Sequence, residues 1–169
     1  MKLNNFIDQL CPNCGLCCDS TLFADVELRK GDDVKRLEKS GLTIFQKSKT
    51  KIGFPQPCAC FDGKLCTIYP DRPKRCRLFE CGLLKKVQAG EITSARALKK
   101  IAKAKKLAGR VRELLRQSGQ RDEQMALTPR YAEAMSASID LAKDDSKLRG
   151  KLMRAMPDLM ELLHRDFLQ

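Results

Sequence analysis

The sequence predicts an α+β chain in two parts: a small, irregular, cysteine-rich module over residues 1–84 and an all-helical, basic region over residues 85–169. Three observations carry this expectation. All nine cysteines lie between Cys11 and Cys81, a stretch that is about 13% Cys, above the ~8–10% that marks a cysteine-organised scaffold. Five of the seven prolines fall in the same stretch, which therefore reads as loops rather than as a core-forming array. After Gly82 the composition turns to Ala, Leu, Met, Lys and Arg, all good helix formers.

Along the chain, Cys11, Cys14, Cys17 and Cys18 sit with Pro12 and Gly15 in what reads as a tight loop, since proline presets one dihedral and glycine tolerates positive φ. Leu22, Ala24, Val26 and Leu28 alternate with Phe23, Asp25, Glu27 and Arg29, the period of a short half-buried strand. Asp32 to Lys39 reads as a helix with Val34 and Leu37 inward and Gly41 at its end. Residues 42–57 read as strand and loop. In the second half, a helix from Ile92 to Gln117 places Leu98, Ile101, Ala104, Ala108, Val111 and Leu115 on one face and Lys99, Lys103, Lys106 and Arg110 on the other. Thr128 and Pro129 look like the cap and first turn of a helix reaching Leu141. Pro157 and Asp158 look like the start of the last helix, which carries Leu159, Leu162, Leu163 and Phe167. His164, the single histidine, falls in that helix and is expected to pack there rather than to act as a ligand.

A chain of 169 residues has room for one ordinary domain, and its apolar runs fall short of the roughly 20 residues of a membrane helix. Met1 to Leu10 contains Asn4, Asn5, Asp8 and Gln9 where a signal peptide needs a continuous apolar stretch. The expected location is therefore cytoplasmic, where thiols are kept reduced and dense cysteines serve metals rather than disulfides. The odd number of cysteines points the same way.

The spacing Cys11-x2-Cys14-x2-Cys17-Cys18 lets a short segment aim several thiolates at one cation. Cys58, Cys60, Cys66, Cys76 and Cys81 supply a second group about forty residues later. Thiolates suit zinc or iron-sulfur centres rather than hard cations. Two tetrads, with the adjacent Cys17 and Cys18 pointing into different ones, and a single cluster with spare cysteines both satisfy the spacing. The run Cys11, Cys14, Cys17 matches the first three ligands of bacterial ferredoxins and leaves a fourth to come from the second group, which favours iron-sulfur; paired short spacings are equally a zinc pattern.

The strings CPNCGLCC at 11–18 and PCACFDGKLCTIYPDRPKRCRLFEC at 57–81 resemble the YkgJ-like CxxCxxCC cysteine-cluster family, whose members are described as zinc- or iron-chelating. The resemblance spans about the first half of the chain. It implies a metal-binding module with Cys11, Cys14, Cys17, Cys18, Cys58, Cys66, Cys76 and Cys81 as its thiols, and leaves Cys60 outside the set, where such proteins tend to carry an aromatic residue. Arg72, Lys74, Arg75 and Arg77 bracket Cys76; because a four-thiolate zinc site is dianionic, Arg72 and Arg77 are expected to offset charge around the metal, with Tyr69 packed beside them.

The expected role is thus a metal-binding protein holding zinc or an iron-sulfur cluster, non-catalytic or redox or sensing in character, with the helical region as scaffold or surface for an unidentified protein partner and no membrane contact. Two alternatives remain. One is a metal-dependent enzyme, since flagellin lysine methylases contain a similar cysteine cluster; the chain lacks the G-x-G-x-x-G turn and H-E-x-x-H helix that would support it. The other is a basic nucleic-acid-binding module. The formal charge is +12, and eight Lys or Arg residues separate Glu91 from Glu113 without an acid. That segment has no aromatic residue for stacking bases, which favours a solvated amphipathic face.

Overall fold

The computed structural model describes residues 5–137 and 145–169. The architecture is α+β, with a small antiparallel sheet near the cysteines and a helical body behind it. The chain runs α1 (Asn5–Cys14), β1 (Asp25–Glu27), α2 (Val34–Lys39), β2 (Phe45–Ser48), β3 (Lys51–Pro55), α3 (Lys74–Leu78), α4 (Gly82–Gln88), α5 (Ser94–Gln117), α6 (Leu127–Ser136) and α7 (Asp145–Asp166). Among the described residues no helix is long and apolar enough to cross a membrane.

The sheet has the order β1-β3-β2, with Val26 opposite Phe54 and Gln46 opposite Ile52. Gly53 sits at its centre because a Cβ there would come within 2.6 Å of the Val26 carbonyl oxygen. The alternation from Leu22 to Arg29 yields only three strand residues, although Leu28 N–H still donates to Ile52 C=O at 2.9 Å. Val26, Leu28, Leu37, Leu42, Phe54 and Cys60 form a compact buried cluster beneath the sheet. Helix α2 starts two residues later than expected, with Asp33 as its cap accepting from the Arg36 N–H at 3.0 Å.

The larger core lies among the helices, and α1 belongs to it. Leu10 and Leu16 are buried with Leu83, Leu84, Val87, the apolar face of α5 and that of α7. This corrects the tight-loop expectation for the first cysteines: Cys11 and Cys14 lie on the last turn of α1, which includes Pro12, and only Gly15, at φ +71°, turns the chain out of it. The apolar burial of Leu10 outweighs the local turn signals of Pro12 and Gly15.

On α5 the buried stripe is Ala97, Ile101, Ala104, Ala108, Val111 and Leu115, with Leu114 at its edge. Leu98, expected inside, is exposed at 37%. Ala97 takes its place because α7 packs closely along this face and admits small residues at the crossing. Lys99, Lys103, Lys106 and Arg110 are exposed, as the period required. Thr93 caps the helix by accepting from the Arg96 N–H.

Two further helix starts differ from expectation. Helix α6 begins at Leu127, a buried residue, so Thr128 and Pro129 fall inside its first turn, where a missing N–H is harmless; Leu141 lies outside the described residues. Helix α7 runs through Pro157 instead of beginning there. The ring is on the exposed face, while Leu152, Ala155, Met156, Leu159, Leu162 and Leu163 make one continuous buried stripe. That burial offsets the ~3 kcal/mol an interior proline costs. His164 is exposed on α7 and not packed.

At the end of α7 the Asp166 side chain is almost fully buried and pairs with Lys100 of α5 at 2.7 Å. Burial pushes its carboxyl up, but hydrogen bonds from Lys100 and Arg165 outweigh that effect and hold it below the usual aspartate value. A depressed native pKa stabilises the fold at pH above the unfolded value and loses that contribution as pH falls through the native one. Replacing Asp166→Asn should lower stability at neutral pH by about 1–3 kcal/mol, and the difference from wild type should shrink as pH falls below ~3.9. Urea unfolding of both proteins across this range checks it; a difference independent of pH would contradict the ion-pair account.

Candidate metal centre

Four segments deliver cysteines to one cavity of about 760 Å³. Cys11 and Cys14, at i and i+3, share one face of the end of α1. Gly15 C=O then accepts from the N–H groups of Cys18 (2.8 Å) and Asp19 (3.0 Å), a tight turn that presents Cys17 and Cys18. Cys58 N–H donates to Cys18 C=O at 2.8 Å, which fixes the second cysteine segment against the first. The loop beyond it is folded back by Asp62, whose carboxylate accepts from the N–H groups of Lys64 (2.8 Å) and Leu65 (2.7 Å), so that Cys66 bridges to Phe61. Cys76 rides on α3, and Asp32 positions that helix by accepting from the Arg29 and Lys74 N–H groups at 2.8 and 2.9 Å. Cys81 stands at the start of α4.

Eight cysteines line the cavity: Cys11, Cys14, Cys17 and Cys18 from the first segment, Cys58, Cys66, Cys76 and Cys81 from the second. Cys60 does not. It is 2% exposed in the sheet core, and its thiol donates to Ser40 C=O at 3.2 Å while its own carbonyl accepts from Thr67. Sequence spacing gave no reason to separate it from the others; its burial beneath the sheet does.

Burial dominates the electrostatics of these thiols. It pushes Cys14, Cys18, Cys58 and Cys76 up to about 12 and Cys17 well above its ordinary value, and neighbouring cysteines add to the effect. Cys81 is raised by burial too, with the backbone amides of Leu84 and Leu83 pulling the other way. Burial thus disfavours the thiolate form of Cys14, Cys17, Cys18, Cys58, Cys76 and Cys81, and a bound metal would supply the charge that makes thiolates of them. Among the described residues no group of three or more Cys, His, Asp or Glu side chains is already drawn in to the spacing of a closed metal site. The donor set nevertheless fits a thiophilic metal, since eight sulfurs converge on one cavity.

The neighbours of each thiol fall into two groups. Cys14 is influenced by Cys81 and Cys11, and Cys17 by Cys14, Cys18, Cys81 and Cys11. Cys18 is influenced by Cys66 and Cys76, Cys58 by Cys18, Cys60 and Cys66, and Cys76 by Cys58 and Cys66. Arg72 acts on Cys18 and Cys76, opposing their burial; its Nε–H donates to Tyr69 C=O at 3.0 Å and its guanidinium lies 3.6 Å over the Tyr69 ring. Arg77 also lines the cavity but is exposed on α3.

Sequence reasoning missed the contribution of α5. Arg112 Nη2 donates to Asp19 C=O at 2.7 Å and to Thr21 Oγ1 at 2.9 Å, and pairs with the Asp19 carboxylate at 3.3 Å. Lys105 Nζ donates to Asn13 C=O at 3.3 Å. Two cations read as part of a basic face thus grip the segment that carries Cys14, Cys17 and Cys18. The only signal in the sequence was the acid Asp19 directly after Cys18, a charge that needs a partner.

A family model named CxxCxxCC and described as "Putative zinc- or iron-chelating domain" matches residues 10–106. No curated protein and no solved structure matches the chain.

Arg112→Ala should remove three polar contacts at once and destabilise the metal-loaded protein by about 1–3 kcal/mol. Arg112→Lys should restore part of that loss, because an ammonium carries the charge without the planar fork. Hydrogen exchange at residues 16–22 provides the measurement. Unaltered protection there in the alanine variant would show that the grip on the cysteine turn is not made in solution.

Proposed function

The chain belongs to the CxxCxxCC family of zinc- or iron-chelating domains, and from that premise we propose that it is a non-catalytic metal-binding protein, redox or sensing in character, whose ligands are the eight cavity thiols and whose helical body serves as scaffold. The convergence of Cys11, Cys14, Cys17, Cys18, Cys58, Cys66, Cys76 and Cys81 on one cavity is the observation that supports it. An all-thiol donor set selects zinc or iron over hard cations and closes the coordination sphere, which suits holding a metal better than activating a water on it. Arg72, with its charge beside Cys18 and Cys76, offsets the negative charge that thiolates bring. Arg77, exposed at the cavity edge, is assigned the same role at longer range.

For the run Cys11, Cys14, Cys17 we favour an iron-sulfur cluster. The three thiols are spaced as in ferredoxin-type ligand runs, and Cys81 is a near neighbour of Cys14 and Cys17 to complete a set of four.

Protein purified without oxygen should contain iron with acid-labile sulfide and absorb broadly in the visible, and Cys11→Ser, Cys14→Ser or Cys17→Ser should each abolish the colour while Cys60→Ser keeps it. Colourless, zinc-loaded protein would reassign the metal and leave the chelating function intact. Protein that neither contains nor takes up zinc or iron would remove the reading altogether. Chelation should also open residues 11–81 to limited proteolysis while α5 and α7 resist, because proline-rich loops bury too little apolar surface to hold themselves.

A further inference from the structure

The two hydrophobic cores divide the cysteines between them. Cys14 and Cys81 pack against the helical core, together with Leu10, Leu16 and Leu84. Cys58 and Cys76 pack against the sheet core, with Phe54 and Ile68. Leu16, fully buried in the helical core, directly precedes Cys17. Cys18 is tied the other way, by the hydrogen bond from Cys58 N–H to its carbonyl. The two bodies therefore meet at Cys17 and Cys18, in the turn that follows α1.

We propose, building on the chelating function above, that the thiols form two separate four-sulfur metal centres. Cys11, Cys14, Cys17 and Cys81 make the centre on the helical side. Cys18, Cys58, Cys66 and Cys76 make the centre on the sheet side. Cys11 shares the end of α1 with Cys14, and Cys66 bridges to Phe61 in the segment that carries Cys58. The arrangement also explains the distribution of charge. Arg72, stacked over the Tyr69 ring, belongs to the segment that carries the sheet-side Cys66 and Cys76, whereas the helical-side segment is gripped through the Asn13 carbonyl by Lys105. The two centres thus differ in the body that holds them. When zinc fills either one, four thiols lose their protons to solvent and the metal gains four sulfur bonds, with no change of oxidation state.

The test uses the full chain, reduced, stripped of metal and titrated with zinc alone, followed by alkylation of the free thiols and peptide mapping. Wild type should take up two zinc ions and protect all eight cavity thiols, with metal uptake halved in each single-centre variant. In Cys14→Ser the label should appear on Cys11, Cys17 and Cys81 while Cys18, Cys58, Cys66 and Cys76 stay protected. Cys76→Ser should give the converse pattern, and far-UV circular dichroism should show the helices of both variants intact. Uptake of one zinc by wild type would overturn the division, as would exposure of all eight thiols in both variants. Failure of wild type to bind either zinc or, in a parallel anaerobic titration, ferrous iron would instead strike at the chelating function on which the division rests.

Discussion

Sulfur that is buried and uncharged is the constraint around which this protein is organised. Turns and short helices carry thiols into a space from which water is largely removed, and desolvation there disfavours the thiolate form of Cys14, Cys17 and Cys76. Loops so rich in proline and glycine have little apolar area with which to stabilise themselves. A thiophilic metal resolves both problems together, since it supplies the charge that desolvation withholds and ties segments that share no secondary structure. The family to which the chain belongs takes its name from the spacing seen here at Cys11, Cys14, Cys17 and Cys18.

The helical body is more than an appendage to this arrangement. Helix α1 brings Cys11 and Cys14 to the cavity with its apolar side in the same core as α4, α5 and α7. Cys81 enters on the residue before α4, whose first N–H, at Gly82, donates to Phe167 C=O at 2.9 Å. The basic residues of α5 serve different ends: Lys100 neutralises a buried acid, Lys105 and Arg112 hold the cysteine turn, and Lys99, Lys103, Lys106 and Arg110 face solvent. A count of positive charges along the helix could not separate these groups, because the partners of Arg112 lie 93 and 91 residues away in the chain.

What could be read from the sequence was what depends on spacing alone. The cysteine runs announced a thiol-lined site because ligand intervals are local, and the long stripe of α5 emerged because seven turns of helix average out individual errors. Leu98 was misplaced by one position since hydrophobicity favours leucine over alanine, whereas close packing against α7 selects Ala97. Pro12 and Pro157 were read as breaks because their steric cost is local and visible, while the apolar burial that overrides it comes from distant residues. Cys60 could not be told from its neighbours by interval, since its exclusion depends on how the sheet covers it.

Gly15 answers to two demands at once. Its φ of +71° disfavours any residue with a Cβ, and the place where that Cβ would stand is taken by the edge of the Phe61 ring, 2.6 Å away. The first cysteine segment therefore meets the second through a bare backbone against an aromatic edge. An alanine would meet both strain and steric exclusion, and relieving the second means pushing Phe61, and with it the strand bridge to Cys66, away from the cavity. The positions between the cysteines are consequently not free spacers. The tolerance of the segment to mutation is set as tightly by what lies between its sulfurs as by the sulfurs themselves.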